Sequence, residues 1–177
     1  MAAAEESLRR GELQAAEALY REAVFEGWLL AAPLERLEGR PEAEAEAVAS
    51  AALFAGEQPR AQVALARALA RTGNMEAAAG ALDAAAARAA DDPEAAFLVA
   101  RELLAMKKPE EAERLFARVL AERPLPQTRV LIGRAWRDAG DYDRARASLK
   151  AALAQDARVR RAHYYLGMVA LADPRTG

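Results

Sequence analysis

The chain is predicted to be all-α, and three observations carry the prediction. Alanine, the strongest helix former, supplies 49 of the 177 residues. No alternating, β-branched run is present, and the eight prolines and ten glycines fall mostly between periodic segments. Finally, a small residue recurs every 33 or 34 positions, at Ala66, Ala100, Gly133 and Gly167. One residue earlier stand Leu65, Val99, Ile132 and Leu166; three later stand Leu69, Leu103, Trp136 and Ala170. Large, small, then bulky at i, i+1 and i+4 makes one stripe on a helix.

Taken in order, the pattern predicts eleven helices, near 2–10, 12–26, 28–38, 41–55, 59–72, 75–90, 93–105, 108–121, 126–138, 141–155 and 158–171. The first is short. The second follows Gly11 and carries Ala16, Tyr20 and Ala23 at i, i+4 and i+7. The third opens at Trp28 and contains Pro33, which must start or kink a helix. The fourth holds Glu44 where later segments have alanine. From residue 58 the register is regular. The helix at 59–72 carries the large-small-bulky stripe, and the helices at 93–105 and 126–138 repeat it. The alternate helices, at 75–90, 108–121 and 141–155, share a second stripe. In it Ala78, Ala112 and Ala145 align, as do Leu82, Phe116 and Leu149, then Ala85, Val119 and Ala152. Pro93 and Pro124 follow two of these helices, and Gly140-Asp141 makes the turn into AGDYDRARASLKAAL. The last helix, beginning near 158, ends the series. Links of a few residues make successive helices antiparallel neighbours.

These units resemble the tetratricopeptide repeat. Its first helix has a bulky residue, a Leu-Gly-like pair and an aromatic; its second has Ala, an aromatic or Leu, and Ala, before a closing Pro. Residues 62–93, 96–124 and 129–157 match best, and YYLGMVA, at 164–170, looks like a further first helix. The resemblance implies one domain over 1–177, a right-handed α-solenoid of antiparallel helix pairs. It would hold about five units and a C-terminal helix: degenerate repeats over 1–57, three well-matched ones over 58–157, a terminal helix over 158–172.

In this family the first helix of each pair lines a concave groove. Carried onto this sequence, one groove column is Arg67, Arg101, Arg134 and Met168, with Arg71 beside it. Four residues before stand Val63, Phe97, Val130 and Tyr164; three after stand Ala70, Leu104 and Arg137. Guanidinium groups form bidentate, charge-assisted hydrogen bonds with carboxylates. Interleaved with Phe97 and Tyr164, they suit a protein or peptide carrying acidic and apolar side chains. The competing reading is that an Arg-rich chain puts arginines on any solvated face, paired with local carboxylates such as Glu102 or Asp138. Some family members clamp a terminal carboxylate with Lys and Asn. Val63, Phe97, Val130 and Tyr164 hold the corresponding positions, which argues against chaperone-tail recognition.

Other chemistries find little support. The only histidine, His163, falls at a packing edge, and there is no cysteine, phosphate loop or His-Glu metal pattern. Neither a catalytic site nor a cofactor or metal is expected. A net charge of −2 gives no case for nucleic acid. No signal peptide or membrane-spanning run is visible, which fits a cytoplasmic protein without membrane insertion. The charge is uneven, however. Residues 1–58 carry 12 acids and 5 bases, a net of −7, and residues 59–177 carry 15 and 20, a net of +5. Either this is ordinary scatter on solvated faces or it suits head-to-tail assembly. The last helix is apolar around most of its circumference, with Tyr164, Tyr165, Leu166, Met168, Val169 and Leu171 in eight residues. Two functions follow. One is a scaffold or adaptor that holds a polypeptide in its groove without catalysis. The other is a structural protein that forms homo-oligomers through the C-terminal helix. Trp28, Phe116 and Trp136 are expected in the core.

Overall fold

The computed structural model describes residues 2–89 and 92–175, and all regular structure in them is helical. The predicted helix end at Ala90 and the expected domain end at Gly177 lie outside the described residues. The chain divides into two compact units, 1–89 and 90–177. The first holds α1 (Ala2–Arg9), α2 (Leu13–Leu37), α3 (Pro41–Ala52), α4 (Pro59–Arg71) and α5 (Met75–Arg88). The second holds α6 (Pro93–Ala105), α7 (Pro109–Glu122), α8 (Pro126–Asp138), α9 (Tyr142–Gln155) and α10 (Arg160–Ala172).

Local chemistry sets the boundaries. Proline opens α3, α4, α6, α7 and α8, where its missing N–H costs nothing. Asn74, Asp92 and Asp141 cap α5, α6 and α9 by accepting backbone N–H bonds of 2.9 to 3.2 Å. The turns between paired helices need a left-handed residue, supplied by Gly39, Gly73 and Gly140 at φ of 74°, 85° and 85°. At the corresponding place between α6 and α7 stands Lys107, at φ 60°. A side chain there costs about 1 kcal/mol relative to glycine.

Helices α4 and α5, α6 and α7, and α8 and α9 form antiparallel pairs, as the register predicts. The two stripes meet inside each pair. Ala78, Ala112 and Ala145 have no solvent exposure, and Leu82, Phe116 and Leu149 fill the adjoining space. Gly133 shows why a small residue is needed. A Cβ there would lie 2.7 Å from Leu149 Cγ and 3.2 Å from the Ala145 carbonyl oxygen.

The first unit departs from the expected eleven helices. The segments at 12–26 and 28–38 form one 25-residue helix, α2, which runs through Gly27 and Pro33. So ten helices are present among the described residues. Gly27 has no capping side chain or N1 proline after it, and a lone glycine weakens a helix by about 1 kcal/mol without ending it. Packing on α1 along one part and on α3 along another sustains α2. Continuity also rotates Trp28 onto a 40% exposed flank instead of the expected core, and Phe25 and Ala32 are buried in its stead. Phe116 and Trp136 are core residues. Glu44, in an alanine position, is buried as well. Its Oε1 accepts from Arg71 Nε at 3.2 Å, and Arg36 Nε lies 4.0 Å away.

Candidate functional site

The site forms in the second unit where α6 and α8 run side by side. Because α7 turns the chain back between them, both helices point the same way. A cavity of about 90 Å³ opens between Phe97 and Arg101 on α6 and Leu131, Arg134, Ala135 and Asp138 on α8. Phe97 is half-buried, its ring 5.6 Å from that of Phe116, which in turn lies 5.6 Å from Trp136. This aromatic series fixes the apolar wall. The two guanidinium groups form the polar rim. Arg101 is exposed and makes no ion pair among the described residues. Arg134 Nε reaches Asp138 Oδ2 only at 3.6 Å, with both side chains about half exposed. Such a pair contributes little and leaves the arginine able to exchange partners.

The other predicted positions separate. Val130 is buried and presents nothing to a ligand. Arg137 bonds Asp138 through Nε at 2.9 Å, and its guanidinium lies 5.0 Å from the Tyr165 ring centre. It joins α8 to α10 instead of standing free. Arg71 is engaged by the buried Glu44, which ties α4 to α3. Arg67 is exposed on α4, in the first unit. Tyr164 and Met168 lie exposed on α10, with the Tyr164 ring 5.2 Å from that of Tyr165. His163 is exposed on the same helix. Asp138 takes the part of a local carboxylate partner that the sequence suggested for it. Leu131 was missed from sequence, since it falls between the two stripes.

The segment after α10 is tied down. Asp173 is buried and accepts from the Arg175 backbone N–H and Nε at 3.0 Å each, and it also pairs with Arg146. Arg175 reaches on to Asp143 at 2.9 and 3.0 Å. Hydrogen bonds from the Arg175 side chain and backbone hold the Asp173 carboxyl far below the usual carboxylate range. The same guanidinium lowers Asp143. This clasp borders a second cavity of about 560 Å³, whose walls include Leu104, Trp136, Tyr142 and Pro174.

The periodicity and helix pairing are those of one repeat family, and its sequence model, described as tetratricopeptide repeat, matches residues 34–93 and 130–176. The chain belongs to the tetratricopeptide-repeat family. Solved structures with a similar fold include PilF of Pseudomonas aeruginosa, with 13% identity, a TM-score of 0.51, and 85% of this chain against 69% of that one. A mutant of MamA aligns at 18% identity and a TM-score of 0.50, over 89% of this chain and 85% of that one. MamA from Desulfovibrio magneticus RS-1 aligns at 18% and 0.49, over 84% of each. These likenesses concern the fold alone. No curated protein matches the chain. Tetratricopeptide-repeat proteins typically serve as protein–protein interaction scaffolds. No helix of this tetratricopeptide-repeat chain, among the described residues, is long and apolar enough to cross a membrane.

Proposed function

We propose that the chain is a non-catalytic binding module that holds a polypeptide segment between α6 and α8. The observation that carries this reading is Arg101, exposed and unpaired among the described residues beside the half-buried Phe97 and across from Arg134. An unengaged guanidinium next to an aromatic wall favours a segment with a carboxylate and an apolar side chain one or two residues apart. The cavity is too small for a drug-sized ligand, which needs about 300 Å³ or more, but admits one side chain.

The test starts from a partner captured with the full chain as bait and identified by mass spectrometry. Its affinity is then measured against a variant carrying Arg101→Glu and Arg134→Glu, at low salt. Charge contacts on an exposed rim are screened beyond a Debye length of about 8 Å at physiological ionic strength. A loss of about tenfold or more is expected, since each charge-assisted hydrogen bond contributes about 1.5–3 kcal/mol. Unchanged binding would remove these arginines from the site.

A further inference from the structure

In the second unit, neighbouring first helices meet through two defined faces. Phe97 and Arg101 of α6 approach Leu131, Ala135 and Asp138 of α8. One period later the same faces join α8 to α10. Val130 and Val169 are buried, and Arg137 lies over Tyr165. Each such helix therefore has a forward face and a receiving face, both spaced i, i+4, i+7.

Two of these faces stay exposed among the described residues, and both are apolar. The forward face of α10 is Tyr164, Met168 and Leu171, with exposures of 62%, 37% and 86%. The receiving face in the later half of α2 is Leu30, Leu34 and Leu37, three periods before Leu131, Ala135 and Asp138. Those leucines are 70%, 59% and 81% exposed. They are bare because α2 is continuous. Had a turn formed at Gly27, a separate helix at 28–38 would have followed a separate preceding pair. Instead, α1 packs on the same helix that carries the stripe.

We infer that the forward face of α10 docks on the receiving face of α2 in a second copy of the chain. The occupant follows from fit and charge. Each face is the counterpart of the other in the internal stack, where successive first helices run parallel. Parallel docking brings the α10 N-terminus, with exposed Arg158, Arg160 and Arg161, toward exposed Glu22 and Glu26 on α2. Helix α10 contains no carboxylate, and neither Arg160 nor Glu26 has an ion pair among the described residues. The charge halves of −7 and +5 have the signs this contact needs. Tyr164 and Met168 then serve a contact between copies, not the peptide groove. The two faces are distinct, so the contact is heterologous, head to tail.

Sedimentation velocity on the full chain, from micromolar to millimolar, tests this with two surface variants, Leu34→Glu and Met168→Glu. Circular dichroism checks that each keeps the helical fold. The wild type should form a concentration-dependent series. Each variant alone should associate at least about tenfold more weakly. Mixed together, they should form a discrete 1:1 dimer, because one retains α10 and the other retains α2. A wild type that stays monomeric overturns the inference. So does a Leu34→Glu chain that associates like wild type, which would mean α10 pairs with itself, and so does a mixture that stays monomeric. Neither substitution touches Arg101 or Arg134, so failure here leaves the groove reading standing.

Discussion

The two units follow one repeat period with different fidelity. In the second, three boundaries carry an explicit stop and start: Lys107-Lys108-Pro109 before α7, Pro124-Leu125-Pro126 before α8, and Gly140-Asp141 before α9. In the first, the boundary at Gly27-Trp28 has only a glycine, and the helix runs on. The difference teaches that packing stripes do not divide a repeat array; turn chemistry does. A stripe continues as readily along one helix as along two, provided neighbours cover it.

The alanine position at 44, 78, 112 and 145 gives a second contrast. At 78 in the first unit and at 112 and 145 in the second it is filled by alanine, while on α3 Glu44 takes it and depends on Arg71. The largest effect is expected from removing that support. Arg71→Ala should cost about 2 kcal/mol, because it leaves a buried carboxylate with only the distant Arg36. Glu44→Ala restores the pattern and should stay within about 1 kcal/mol of wild type, since removing a buried ion pair is often nearly neutral. Urea denaturation of both variants checks this. Equal losses would show that the carboxylate contributes on its own account.

A smaller effect tests the close approach in the second unit. Gly133→Ala should destabilise by about 1–2 kcal/mol, overpacking against Leu149 net of the gain in helix propensity. Gly167 holds the same repeat position on α10, where a Cβ meets nothing within 4 Å. Gly167→Ala should therefore stabilise by about 0.5–1 kcal/mol. Opposite signs in thermal melts would establish that the repeat position is small only where a second helix covers it. The smallest effect concerns the turn between α6 and α7, where Lys107 takes the left-handed position. Lys107→Gly should raise stability by about 0.5–1 kcal/mol by relieving the left-handed backbone strain. No gain would mean that the lysine stem makes compensating contacts.

Much of the fold was legible because its determinants are local and periodic. Leu82, Phe116 and Leu149 recur at one spacing and are buried in equivalent places. The fate of Gly27 was not legible. Whether a lone glycine ends a helix depends on what packs alongside, and the packing of α1 and α3 on α2 is not written in the residues around Gly27. The site was legible only in part. Spacing placed Phe97, Arg101 and Arg134 on one side of their helices, and the structure brings them together. It could not show that Val130 is buried, that Arg71 is held by Glu44, or that Arg137 stacks on Tyr165. Each depends on a side chain from a neighbouring helix, and a helical period carries no information about neighbours.

The two tryptophans have a practical consequence. Each unit contains one: Trp28 stands partly in water on α2, while Trp136 is buried with the Arg144 guanidinium 4.9 Å from its ring centre. The chain thus carries a separate optical probe in each unit. Trp136 should emit to the blue and shift red when its unit opens, whereas Trp28 should be accessible to aqueous quenchers from the outset. A Trp28→Phe variant would leave fluorescence reporting on the second unit alone.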